Sequence, residues 1–184
     1  MPNETLPAVE YTLFETAIGP CGIAWQTGEA PVIHAFHLPE ASEHATEERM
    51  TCLGAKAVAI PAPIEAVIAK ARRHLARDLQ DFRDAPIDWD RFEPFSRRVY
   101  QAALDIPPGQ TRTYGQLAKS LGEPQAAQAV GQSLGSNPIP LIIPCHRILA
   151  ADGKMGGFSA PGGLATKEKL LIIEGALSSL FDEF

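Results

Sequence analysis

The sequence predicts two domains: a small α/β domain built on a short antiparallel sheet with helices, then a mostly helical domain with helix-turn-helix spacing. Three features of the 184 residues carry that expectation. Strand-like pieces punctuated by Gly and Pro come first. Helical periodicity dominates most of the chain after them. The charge, finally, is divided unevenly. Residues 1–94 hold 8 Lys/Arg against 15 Asp/Glu, a net of −7, whereas residues 95–184 hold 8 against 7, a net of +1. Only the second half can approach a phosphate backbone without strong repulsion. The expected limits are 1–92 for a supporting domain and 93–184 for the domain that meets a polyanion and does chemistry.

Residues 11–15 lead through Ile18-Gly19-Pro20 to residues 21–25, a hairpin arrangement with Gly/Pro at the turn, and residues 32–37 make a third strand. Two helices are expected next, over 41–58 and 64–79. In the second, Ile64, Val67, Ile68, Ala71 and Leu75 recur at helical spacing while Lys70, Arg72, Arg73 and Arg77 lie mostly elsewhere. Residues 84–94 read as an acidic linker. Beyond it, residues 95–104 are helical and Pro107-Pro108-Gly109 forces a turn. Thr113 is an N-cap candidate for a short helix closed by Gly122, and a second helix runs from Pro124 to about Gly135. Two short helices around Gly-Glu-Pro give the helix-turn-helix spacing, which is also common in helical cores. An apolar, Pro-punctuated run, residues 137–144, delivers the chain rigidly to Cys145-His146-Arg147. A Gly-rich loop (156–163) precedes a last helix over 164–174, with Gly175 as its C-cap.

Composition narrows the class. At 45% hydrophobic and 21% charged, the chain is no disordered tail, collagen or coiled coil. No stretch approaches the roughly 18–20 apolar residues of a membrane span. The start, Met1-Pro2-Asn3-Glu4-Thr5, lacks a basic secretory signal, so the cytoplasm is the expected location. Three cysteines at unrelated spacings argue against a disulfide framework. The histidines (His34, His37, His44, His74, His146) form no zinc-site spacing with them, so no metal is expected.

Cys21 alternates with Ile23 and Trp25 on one strand face and reads as core; Cys52 lies in a helical stretch with no histidine nearby in sequence. Cys145 differs. It ends a stiff segment beside an imidazole and a guanidinium, groups that lower a thiol's pKa and make it nucleophilic.

Pro144-Cys145-His146-Arg147 after Asn137-Pro138, with Thr113-Tyr114-Gly115 upstream and Lys167, Leu170-Leu171 and Glu174-Gly175 downstream, resembles the O6-alkylguanine-DNA alkyltransferase family, the methylated-DNA–protein-cysteine methyltransferases. The likeness runs from about Phe95 to Gly175, and the first ninety or so residues resemble the family's variable N-terminal domain. The resemblance implies a winged-helix-like second domain and stoichiometric, self-inactivating DNA repair. An alkyl group passes from O6 of a flipped guanine, with O4-alkylthymine as a second candidate, to Cys145. His146 would be the base, through a water, and Glu174 would orient it. Tyr114 would stabilise charge on the leaving guanine, although it could also simply pack at a helix start. Asn137 would brace the turn before the active-site strand, and Lys167 would hydrogen-bond near the Cys145 carbonyl. Carbonyls of Cys145 and Ile148 would read the guanine amine, and Ser159 would approach O6, beside Phe158. Arg147 would be structural, paired with a carboxylate such as Asp152. Ala127, Ala129 and Gly131 would let the second helix approach a minor groove. No cofactor, membrane or obligatory protein partner is implied; the expected partner is double-stranded DNA carrying alkylated guanine, bound by a monomer.

The chain departs from the family in two places. Gln128 stands where the family usually carries an arginine that fills the space of the flipped nucleotide, and no cation lies between Gln125 and Asn137. The loop around Phe158, where tyrosine is frequent, is about two residues longer than the common form. Two other functions compete: a non-enzymatic, alkyltransferase-like lesion-binding protein, whose members replace the nucleophile, and a helix-turn-helix regulator, for which the Ala/Gln/Gly helix offers no arginine or lysine.

Overall fold

A computed structural model describes residues 8–178. Three strands, β1 (Val9–Phe14), β2 (Cys21–Gln26) and β3 (Val32–His37), form an antiparallel meander, in keeping with the hairpin and third strand expected from the sequence. Every residue of β2 from Cys21 to Trp25 is buried, because the sheet is covered on both faces. Cys21, Ile23 and Trp25 join the main core, and Ala24 packs with Tyr11 and Met50 on the other side. Burial pushes the Cys21 thiol up to about 12, as befits a core residue.

Helix α1 (Glu43–Thr51) is much shorter than the expected 41–58. Ser42 caps its start, the Leu53 N–H closes its end on the Met50 carbonyl at 2.9 Å, and Gly54 then passes so close to β1 that a Cβ there would collide with the Val9 carbonyl. The chain instead continues as β4 (Ala55–Lys56), parallel to β1. The sheet is therefore mixed, in the order β3-β2-β1-β4, rather than purely antiparallel. Helix α2 (Ala62–Leu75) also stops early, where Arg77 turns left-handed (φ 69°) and the Asp78 N–H bonds back to the Arg73 carbonyl.

The segment expected as a linker is strapped onto the sheet. Ile33 N–H donates to the Pro86 carbonyl at 2.7 Å, and Arg91 donates to the His34 carbonyl at 2.7 Å. Its Phe92 ring meets Tyr100 edge-on, 5.0 Å between centroids. Tyr100 lies in α3 (Pro94–Leu104), and its hydroxyl donates to the Ser133 carbonyl. The strand β5 (Arg112–Thr113) leads directly into α4 (Tyr114–Ser120), and α5 (Ala127–Gly135) completes the helix pair. Helix α5 starts three residues later than expected, after a turn in which Ala126 N–H bonds the Glu123 carbonyl. Cys145–Arg147 form one 3-10 turn rather than a strand, followed by β6 (Ile148–Leu149), which pairs in parallel with β5. That pairing brings Tyr114 beside the Cys145 turn. Helix α6 (Gly163–Ile173) is the last element of the described chain. One contiguous apolar core runs from Phe14 and Trp25 through Ile68 and Val99 to Ile143 and Leu170, so residues from both halves share it.

Candidate active site

Tyr114 is placed by local chemistry. Thr113 Oγ1 accepts the Gln116 N–H, and the Gln116 side chain accepts the Thr113 N–H, a complete capping box that sets the first helical residue. The Tyr114 ring lies against Gly131 of α5 and Gly156 of the loop; a Cβ at Gly156 would come within 2.8 Å of its hydroxyl. Burial raises its hydroxyl pKa, and the Cys145 thiolate would raise it further, so Tyr114 stays a donor.

Cys145 is held from the opposite side by Asn137. The Asn137 amide donates to the Ile143 carbonyl at 2.9 Å and to Cys145 Sγ at 3.3 Å, while its oxygen accepts the Ile139 N–H at 3.0 Å. One buried side chain thus braces the whole turn, including Leu141 in the left-handed region (φ 72°), a conformation costing about 1–3 kcal/mol.

Behind Cys145 lies a fully buried ionic cluster. Glu174, just past α6, receives His146 Nε2 at 2.8 Å and the Arg147 fork at 2.9 and 2.8 Å. Arg147 also donates to the Ile106 carbonyl, whereas Asp152, the partner expected for it, pairs with Lys154. The carboxylate wins the guanidinium because both are buried and an unpaired buried charge is costly. Burial pushes the Glu174 carboxyl up, but His146, His74 and Arg147 together hold it far below the ordinary range. Lys167, also fully buried, donates to the Ile148 carbonyl at 2.6 Å rather than to that of Cys145, tying α6 to β6.

The electrostatics reverse one expectation. The guanidinium beside Cys145 in sequence points to Glu174, so it does little to acidify the thiol. Burial raises the Cys145 pKa, opposed by the Asn137 hydrogen bond and the Lys167 charge. Burial likewise lowers that of His146, against the pull of Glu174. The resting pair is therefore a neutral thiol and a neutral imidazole. With Nε2 bound to Glu174, His146 Nδ1 is buried with no hydrogen-bond partner among the described residues.

Cys145 lies at the edge of a cavity of about 820 Å³ that Tyr114, Ala127, Gln128, Gly131, Phe158 and Ser159 also line. None of its lining residues is charged. Ala129 is not in this lining, and Ile148 is buried behind it. Among the described residues, no group of three or more His, Cys, Asp or Glu is arranged to hold a metal, and no helix is long and apolar enough to cross a membrane.

Residues 94–176 match the family model described as 6-O-methylguanine DNA methyltransferase, DNA binding domain. A methylated-DNA–protein-cysteine methyltransferase of Mycolicibacterium paratuberculosis is 33% identical over 161 residues, 88% of this chain and 91% of its own length. The chain belongs to the methylated-DNA–protein-cysteine methyltransferase family. The fold agrees with that membership. The crystal structure of the Mycobacterium tuberculosis O6-methylguanine methyltransferase superposes with a TM-score of 0.71 at 32% identity, over 94% of this chain and 96% of that one. A structure of the M. tuberculosis protein in complex with DNA gives 0.70 at 32% identity, over 91% and 93%.

One residue of this methyltransferase-family site escaped the sequence. His74 of α2 is fully buried and its Nε2 lies 2.9 Å from Glu174 Oε1. A signal existed: His74 follows Val67 by seven and Ala71 by three, on the apolar face of its helix. A histidine on such a face reads as core until its partner, 100 residues away, is placed.

Proposed function

We propose that this protein repairs alkylated DNA by moving an alkyl group from O6 of guanine onto Cys145, once per molecule. The observation that carries the proposal is the position of Cys145: its thiol lines an uncharged cavity of about 820 Å³, with ample room for a flipped base, while an imidazole–carboxylate pair stands behind it. DNA is the partner, met by α5 at the cavity mouth, where small residues and Gln128 would approach the minor groove and the gap left by the flipped nucleotide.

The reaction begins when the base leaves the stack and enters the cavity beside Tyr114 and Ser159. The thiol proton passes through a bridging water to His146 Nδ1, and Glu174 stabilises the imidazolium that forms. The thiolate attacks the alkyl carbon in line; an S–C bond forms as the O6–C bond breaks. The electron pair returns to the guanine ring, where Tyr114 supplies a hydrogen bond or proton. A thioether is left on Cys145, and no group in the site can remove it. Asn137 and Lys167 hold the thiol's turn and strand, and Arg147 holds Glu174. The protein acts as a monomer.

Intact-protein mass after incubation with a duplex containing O6-methylguanine tests this directly. A single adduct of one CH2, absent from Cys145→Ala, is expected. Lesion-selective binding without an adduct would instead make the protein a lesion sensor of the alkyltransferase-like kind.

A further inference from the structure

The first half of the chain contributes a side chain to the ionic cluster that serves the thiol. His74 Nε2 lies 2.9 Å from Glu174 Oε1, the same oxygen that His146 Nε2 and Arg147 Nη2 approach at 2.8 Å. The tautomer of His74 is set by its other nitrogen. Nδ1 accepts the backbone N–H of Gln80 at 3.1 Å and so carries no proton; Nε2 must carry it and donate. Two features fix the ring: the Gln80 N–H and the Phe82 side chain, whose ring centroid is 5.6 Å away. His74, His146 and the Glu174 side chain are all fully or almost fully buried, so no bulk water competes for these bonds.

We infer that His74 is a positioning residue for alkyl transfer, a neutral Nε2–H donor reaching from α2 across the fold to fix the Glu174 carboxylate that orients His146. The inference rests on the proposed transfer to Cys145. A neutral donor suits this task. It occupies a carboxylate lone pair and limits how strongly Glu174 pulls on His146, without adding a second cation next to Arg147. Glu174 then stays anionic and fixed, while His146 stays neutral and able to take the thiol proton. The charged and titratable groups facing this cluster are Arg147, His146 and Glu174 themselves, with Cys145, Lys167 and Tyr114 on the far side of the Cys145 turn. The same contact gives the first half a part in the chemistry beyond covering the core.

The test compares His74→Phe, which keeps a ring against Phe82 but has no donor, with His74→Gln, whose amide can place an N–H near the Nε2 position. Single-turnover transfer from O6-methylguanine duplex is followed from acid to neutral pH, with DNA affinity and urea midpoint measured on each variant. His74→Phe is expected to transfer about tenfold more slowly at neutral pH, the loss of one hydrogen bond to a charged group. Its acid limb should move to higher pH, because Glu174 then pulls harder on the His146 proton, with DNA affinity unchanged. His74→Gln should restore most of the rate and the original limb. A His74→Phe protein with the wild-type rate and profile overturns the inference, as does a His74→Gln protein that is equally slow. Nitrogen-15 NMR of the unmodified protein is a check independent of any variant: a neutral Nε2–H tautomer is expected for His74, and an Nδ1–H tautomer overturns the inference. Failure of the wild-type protein to gain a methyl group would overturn the proposed function instead, so the two failures are distinguishable.

Discussion

The two sides of Cys145, the buried rear wall behind it and the cavity mouth in front, are built on opposite electrical principles. Behind Cys145, His74, His146, Arg147, Lys167 and Glu174 are buried, and among the described residues all of their side-chain polar atoms except His146 Nδ1 find partners. At the mouth, Ala127, Gln128, Gly131, Gly157 and Ser159 carry no charge at all. Charges are strong where water is absent and weak where it is present. Fixed charge is thus concentrated behind the thiol, while the mouth offers only small and neutral side chains. A site of this kind should be robust in its chemistry and undemanding in its grip on phosphates.

The contrast breaks most severely at Glu174. Glu174→Gln leaves the Arg147 guanidinium buried without its counter-charge and places an amide donor against His146, Arg147 and His74. Removing one member of a buried ion cluster costs about 3–5 kcal/mol. The expected result is a much lower urea midpoint, and transfer at least about a hundredfold slower at permissive temperature. The pH dependence carries the same information. The folded protein holds the Glu174 carboxyl well below its ordinary value of 4.5, so its stabilisation is complete above that pH. It is lost progressively as pH falls below it. The wild-type urea midpoint should therefore fall steeply in acid, and that of Glu174→Gln should fall less. Parallel acid curves for the two proteins would mean that the cluster is not the acid-sensitive element.

Much of the rear wall is legible from residue order alone, because Cys145, His146 and Arg147 are adjacent and the family landmarks fix Glu174 and Lys167. The partners are not. Proximity in sequence pairs Arg147 with nearby Asp152, whereas burial gives it Glu174, 27 residues on. His74 is hidden for the same reason: sequence spacing shows which face of α2 it occupies and nothing of what that face meets. Local chemistry is more legible. The Thr113 cap and the left-handed Gly122 and Gly175 depend on neighbours within a turn, and each stands where the sequence puts it. Helix ends depart from expectation where a distant strand decides them, as when Val9 excludes a Cβ at residue 54 and α1 gives way to β4.

A charge added to the mouth sharpens the contrast. Gln128 is exposed on α5, with no cation between Gln125 and Asn137 to neutralise phosphates. Gln128→Arg should tighten binding to duplex DNA roughly threefold to tenfold at low salt. The slope of log affinity against log salt should steepen by about 0.9 for each phosphate the guanidinium meets. The transfer rate at saturating DNA should change little, because the arginine lies outside the ionic cluster. If affinity and salt slope are both unchanged, the missing charge is not what limits DNA binding here.

The smallest expected effect concerns how the mouth is held. Tyr114 owes its place to the Thr113–Gln116 capping box and to the close approach of Gly131 and Gly156 to its ring. Thr113→Ala removes the hydroxyl that accepts the Gln116 N–H, which costs about 1 kcal/mol of stability. The ring remains clamped between the two glycines and the β5–β6 pairing is untouched, since that pairing uses backbone groups. The variant should therefore show a slightly lower urea midpoint and a transfer rate within about twofold of wild type. A rate loss comparable to that of Glu174→Gln would show that Tyr114 depends on its cap for orientation. The mouth would then need the same fixed geometry as the rear wall, only achieved through backbone caps in place of buried charge.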